Sequence, residues 1–268
     1  MGFSPTIRAR QTIGHPEPIQ DAAAENPHDQ QHHIALFSDS RSAIVETSVV
    51  RRMHVGSDDY ALTAAPAGYE VAKRAVDLVL GACLFLIAIP LISIGALWIW
   101  AESAGSPFFF QIRLGRRGKP FHIFKLRGMF IDARDRFPHL YDYSGNRDLE
   151  FHFHYKDDPR VTRAGRFLRR TSIDELPNLW NVLKGDMSLV GPRPEIPEIL
   201  EMYGSYRVKY LSVKPGISCL SKCSGRDHLT KRESIELDLQ YIRDRSFFMD
   251  LKILWKTFVS VISRRNVY

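Results

Sequence analysis

Apolar and polar positions are unevenly distributed along the chain. Residues 1 to about 65 are polar and follow neither a helical nor a strand period. Leu78 to Ala101 then runs for about 24 positions without a charge, long enough to cross a bilayer as one helix. Pro90 falls near its middle, and each half would rise roughly 18 Å, short of a hydrocarbon core of about 30 Å. This stretch therefore predicts either a single spanning helix or a helix-break-helix that enters and leaves one leaflet. Phe121 to Leu126 reads as a short strand after turns at Gly115 and Gly118. Leu176, Leu179, Trp180 and Leu183 form a helical stripe suited to a core, and Glu195 to Tyr210 reads as helical. Leu237, Leu239, Tyr241 and Ile242 predict a helix from Ser234. Asp250 to Ile262 predicts another, suited to a membrane interface or to core packing.

Charge narrows the choice at the apolar stretch. Lys73 and Arg74 precede it, and Arg113, Arg116, Arg117, Lys119, Lys125 and Arg127 follow it. Cationic flanks are retained in the cytoplasm, which a re-entrant hairpin satisfies at both ends and a single crossing does not. Over 268 residues, 37 Lys+Arg against 30 Asp+Glu leave a net charge of +7, which suggests an anionic partner. Three cysteines, Cys83, Cys219 and Cys223, cannot all pair and suit a reducing compartment. Neither they nor His28, His32 and His33 have the spacing of a recognisable metal site. The first residues lack the apolar run of a secretory signal.

The chemistry concentrates in Thr171 to Glu195, TSIDELPNLWNVLKGDMSLVGPRPE. Asp174 and Glu175 are adjacent carboxylates, which repel unless a metal ion or arginines sit beside them. Arg163, Arg166, Arg169 and Arg170 lie just upstream, and Pro192-Arg193-Pro194 just downstream. Carboxylates, a divalent cation and arginines suit the handling of phosphate groups. A structural alternative exists: Ser172 and Glu175 fit a capping box at a helix start, although Pro177 would distort it.

The string Asp174-Glu175-Leu176-Pro177, Asn181 to Leu189 and Gly191-Pro192-Arg193-Pro194 resembles the bacterial sugar transferase family, the monotopic phosphoglycosyl transferases. The resemblance extends from about Ala72 to Tyr268, through Lys73-Arg74, Asp77, Pro90, Gly105-Ser106-Pro107, Asp157-Asp158-Pro159-Arg160 and Asp250 to Leu254. Leu126 and Gly128 stand where the family reads an aromatic residue and a serine. Cys219 to Ser224 replaces a stretch with a tryptophan-glutamine pair, before a retained Gly225-Arg226.

The resemblance implies transfer of a hexose 1-phosphate from a UDP-hexose to undecaprenyl phosphate, with UMP released. Asp174 would be the nucleophile, and Mg²⁺ would sit against Asp174 and Glu175. Lys125, Arg127, Arg169, Arg193 and Arg226 would bind phosphate or nucleotide sugar. It also favours the re-entrant helix broken at Pro90, with the catalytic domain on the cytoplasmic face of the inner membrane, among its lipids. The expected class is α/β, mostly helical with short strands: a polar, disordered tail over 1–68, a membrane hairpin over 69–104 and a catalytic domain over 105–268. Self-association is left open. A non-enzymatic, basic, membrane-attached scaffold explains the charge and the apolar stretch, but gives Asp174-Glu175 no task. No helix-turn-helix or aromatic-basic interleaving points to nucleic acid.

Overall fold

The computed structural model describes residues 65, 67–141, 149, 158–225 and 228–263, so most of the expected N-terminal tail and Arg226 lie outside the described residues. The fold is mostly helical, with two small sheets. Helix α1 is Ala67–Glu102, and strands β1 (Phe108–Leu114) and β2 (Pro120–Leu126) form an antiparallel hairpin. Short helix α2 is Ala133–Arg136 and α3 is Arg163–Thr171; a tight 3-10 segment, Ile173–Asn178, leads into α4, Leu179–Lys184. Strand β3 (Ser188–Val190) is followed by α5 (Pro197–Glu201) and α6 (Tyr206–Tyr210), then β4 (Gly216–Ser218), which lies parallel to β3. Helices α7 (Leu220–Ser224), α8 (Lys231–Asp244) and α9 (Phe247–Ser263) complete the order.

Helix α1 explains the architecture. Asp77, Ala88 and Ile99 are buried, and Gly81 and Gly95 share their face at four- and seven-residue steps. Two glycines and an alanine let the helix approach the domain closely: a Cβ on Gly95 would stand 2.8 Å from Leu126 and 3.2 Å from Leu168. The opposite face is apolar and exposed, with Leu86 at 67 % and Trp100 at 69 %.

Both ends of α1 are tied to the same domain. At the N-terminal end, Arg74 donates to the carbonyls of Val182 (2.7 Å) and Leu183 (2.9 Å) in the last turn of α4. Asp77 accepts from Ser188 Oγ (3.0 Å) and the Leu189 amide (2.9 Å). At the other end, Glu102 accepts from the amides of Arg163 (2.8 Å) and Ala164 (2.7 Å), an anionic cap on the first turn of α3.

Several expectations need correction. The helix does not divide at Pro90: α1 continues through it. Pro90 lies on the exposed face, so its missing donor does not disturb the seam against the domain. The Ser172–Glu175 capping box is absent, because Ser172 is left-handed (φ 59°) and its side chain makes no cap bond. The turn instead separates α3 from the 3-10 segment that holds Pro177. A capping box does open α8, between Thr230 and Glu233, ahead of the expected start at Ser234. Glu195 to Tyr210 forms two short helices with turns between them rather than one.

Asp77 is the most exacting polar contact in the α1 seam. Asp77→Ala leaves a buried hydroxyl and amide without their acceptor. It should cost about 2 kcal/mol, a fall of roughly 4–8 °C in the melting midpoint for a domain of this size. Scanning calorimetry in detergent would check this, and an unchanged midpoint would remove Asp77 from the seam.

Candidate functional site

Five segments converge on the two adjacent carboxylates. The 3-10 segment presents Asp174 and Glu175, β2 brings Lys125, α3 brings Arg169, the loop after β3 brings Arg193, and α7 brings Lys222. Asparagines fix the register between the first two. Asn178 Oδ1 accepts from the Phe124 amide (2.9 Å) and from Asn181 Nδ2 (3.2 Å), and Asn181 Nδ2 also donates to the His122 carbonyl (3.0 Å). The residue after Phe124 is Lys125, whose Nζ reaches Glu175 Oε1 at 2.9 Å. Lys222 Nζ donates to the other oxygen, Oε2, and to the Ile217 carbonyl at 3.2 Å. Glu175 is thus clamped between two ammonium groups, one on each oxygen.

This clamp sets two neighbouring carboxylates apart. Burial alone would raise the Glu175 carboxyl. Lys125 and Lys222, with Arg193 farther off, overcome that and hold it well below the usual carboxylate range. Asp174 moves the other way, raised by burial and by the adjacent charge of Glu175, with Lys125, Arg169 and Lys222 opposing. Among the described residues Asp174 makes no direct hydrogen bond or ion pair. One carboxylate is committed, and its neighbour is poised without a direct partner amid three cations.

Arg193 is held by its backbone. Its amide donates to Asp238 Oδ2 (3.0 Å), while Tyr210 Oη donates to its carbonyl at 3.0 Å and lies 2.9 Å from the same carboxylate. Asp238, only 1 % exposed, also accepts a long bond (3.4 Å) from the amide of Ser221, beside Lys222. One buried acid on α8 thereby braces the segments that carry two of the cations.

Arg127 is placed elsewhere. Only 6 % exposed, it donates to the carbonyls of Ala104 (2.8 Å) and Ser103 (3.1 Å), closing the C-terminal end of α1. The two departures around it have physical reasons. Leu126 packs in a small core with Ile99, Ala164 and Leu168 beneath α1. At Gly128, a Cβ would come 3.0 Å from Arg169 Nε, so the missing side chain makes room for Arg169.

Lys222 is the residue the sequence did not reveal. It lies 47 positions from Glu175, inside the segment that departs most from the family string, and no periodicity links them.

A divalent cation fits one half of the expected pair. Magnesium takes one or two carboxylates together with water and phosphate oxygens, and Asp174 can supply such an oxygen. Glu175 would have to release a lysine. No group of three or more His, Cys, Asp or Glu able to hold a metal ion occurs among the described residues.

The family model described as bacterial sugar transferase matches residues 68–264. The chain is 40 % identical over 193 residues to the galactosyl transferase CpsE of Streptococcus agalactiae, covering 72 % of this chain and 42 % of that protein. It is 39 % identical over 199 residues to an undecaprenyl-phosphate galactose phosphotransferase of Salmonella typhimurium, covering 73 % and 41 %. It is 37 % identical over 229 residues to the UDP-glucose:undecaprenyl-phosphate glucose-1-phosphate transferase of Caulobacter vibrioides, covering 80 % of each. The chain thus spans about two fifths of the first two relatives.

The clamp makes a pH prediction. Because the folded Glu175 carboxyl lies below its unfolded value, its ion pairs stabilise at neutral pH, and that stability is lost as pH falls through the depressed value. Lys222→Met removes one partner and should move the Glu175 titration upward, toward the ordinary range. Carboxylate-labelled NMR would follow it; an unmoved midpoint would mean that Lys222 does not hold Glu175 in solution.

Proposed function

The chain belongs to the bacterial sugar transferase family, and we propose that it transfers a hexose 1-phosphate from a UDP-sugar to undecaprenyl phosphate. The observation that carries this reading is the contrast between Asp174, without a direct partner among the described residues, and Glu175, held by Lys125 and Lys222. A carboxylate with a raised pKa is a better nucleophile once ionised. The cations beside it suit a substrate that carries a diphosphate.

In this mechanism Asp174 attacks the β-phosphorus of the UDP-sugar. The bond from that phosphorus to the bridging oxygen breaks, UMP leaves with the electron pair, and an aspartyl phosphosugar forms. The phosphate oxygen of undecaprenyl phosphate then attacks the same phosphorus and displaces Asp174, giving a polyprenyl diphosphosugar. Dividing the transfer in two avoids bringing two polyanions together in one step. Lys125, Lys222, Arg169 and Arg193 stabilise charge on the transferring oxygens. Lys125 and Lys222 exchange part of their contact with Glu175 for the phosphate, and Glu175 keeps them in place between turnovers. Magnesium held by Asp174 with the donor diphosphate, and by Glu175 if it gives up a lysine, would neutralise diphosphate charge.

The membrane attachment we propose is monotopic. Both ends of α1 are bound to one domain, which supports a helix held along one leaflet without crossing to the other side. The apolar face of α1 then lies in the cytoplasmic leaflet of the inner membrane, with Pro90 on the lipid side. The exposed Phe248, Leu251, Trp255 and Phe258 of α9 suit an interfacial helix. Synthesis of an exopolysaccharide or related glycan is the process such a product opens.

The reading is tested by incubating the membrane-bound protein with undecaprenyl phosphate, Mg²⁺ and single UDP-hexoses. UMP should appear with one of them and disappear with EDTA. Asp174→Asn should lower the rate by at least about 10³-fold, because it removes the nucleophile, while leaving the protein on the membrane. UDP release, or near-normal turnover by the variant, would contradict the mechanism.

A further inference from the structure

A second cationic site lies apart from Asp174. The N-terminal turns of α1, strand β3, the Val213-Lys214 turn and the C-terminal end of α8 line a cavity that is partly open to solvent. Its charged lining is Lys73, Arg74, Lys214 and Arg245, with Glu70 and Asp77. Most of these groups already have structural partners. Lys73 pairs with Asp250 at 2.8 Å, Glu70 approaches Arg116 at 3.8 Å, Arg74 caps α4, and Asp77 is bonded to β3. Lys214 is different: among the described residues its ammonium has no hydrogen bond and no ion pair, although Arg74 is close by. Arg74 Nη2 and Lys214 Nζ stand 3.3 and 3.7 Å from where a Cβ on Gly185 would lie, so two cations converge on one spot. Burial, then Arg74 and Arg116, lowers the Lys214 pKa, and the carboxylates of Asp77 and Glu70 offset only part of this. An anion in the cavity would reverse that penalty.

The position of the cavity indicates which anion. Two exposed apolar surfaces begin at its rim. Leu78 and Val79 follow Asp77 on α1, and Phe247 and Phe248, the latter 83 % exposed, follow Arg245 at the start of α9. A basic cavity where two lipid-facing helices begin lies at headgroup depth. We propose that this cavity is a second phosphate-binding site, with Lys214 as the cation that has no direct partner among the described residues, and that it takes the phosphate of an anionic lipid headgroup. The site would fix the height and tilt of the domain on the membrane. It rests on the membrane attachment proposed above and not on the transfer chemistry, so its test uses no turnover.

The test is lysine-selective acylation of the full chain in nanodiscs of phosphatidylcholine, with or without phosphatidylglycerol, and in phosphatidylcholine with inorganic phosphate. Lys252, exposed on α9, is the control for general attraction to an anionic surface. Phosphatidylglycerol should reduce Lys214 labelling about threefold or more beyond its effect on Lys252. Lys214→Gln should weaken retention on phosphatidylglycerol vesicles by more than Lys252→Gln does, for which roughly 1 kcal/mol for a surface cation gives about fivefold. Protection by phosphatidylglycerol alone assigns the site to the headgroup. Protection by inorganic phosphate as well supports the phosphate chemistry and makes free phosphate a source. Equal effects at both lysines, or no protection of Lys214, would overturn the proposal. Failure of the protein to remain with phosphatidylcholine discs would instead refute the attachment on which it rests.

Discussion

The repulsion between Asp174 and Glu175 is the constraint the site is built around. Two neighbouring carboxylates in a crowded pocket cannot both ionise without compensation. This fold compensates one of them, by placing Lys125 on one oxygen of Glu175 and Lys222 on the other. The fixed negative charge then acts on Asp174, which burial also raises. In the mechanism proposed above, one acid serves as scaffold and the other as reagent. The division needs β2 and α7 to meet on opposite sides of a 3-10 turn. That explains the asparagine stitches at 178 and 181 and the bracing of both the Arg193 and Ser221 amides by Asp238.

The same elements join the site to the apolar helix. Leu126 follows Lys125 by one residue and packs under Gly95, while Leu168 precedes Arg169 and reaches the same glycine. Ile173, next to Asp174, also lies against Gly95 at 3.9 Å from its would-be Cβ. Three residues that flank site residues are therefore seated on α1 itself. With the apolar face of α1 in the membrane as proposed, a lipid phosphate would need only a short path to a cluster built directly on that helix.

Much of this was legible in sequence, for identifiable reasons. Asp174 and Glu175 are adjacent, so their electrostatic problem can be read without a fold, and Lys125 lies in a strand that an alternating pattern reveals. The seam of α1 is written in the spacing of Asp77, Gly81, Ala88, Gly95 and Ile99, yet the uncharged run as a whole and Pro90 drew the reading toward a broken helix. Only the tertiary contacts at both ends show why one continuous helix serves. Arg127 was grouped with the phosphate ligands from the family pattern, and alternation would put it on the face of Lys125, but the strand ends at Leu126 and Arg127 turns to the end of α1. Lys222 was hidden because its meeting with Glu175 is wholly non-local. Glu175 itself satisfied a local capping pattern that the left-handed Ser172 rules out.

The central claim is that Asp174 becomes covalently loaded, and the most direct measurement is to catch that state. The membrane-bound protein would be mixed with a UDP-hexose in the absence of undecaprenyl phosphate, quenched in denaturant, digested and analysed by mass spectrometry. The account predicts a burst of UMP and one phosphohexose on the peptide containing Asp174, discharged when undecaprenyl phosphate is added before the quench. UMP formed with lipid present, but no modified Asp174 under any quench, would point to direct transfer between the two substrates and contradict the division of labour between these two carboxylates.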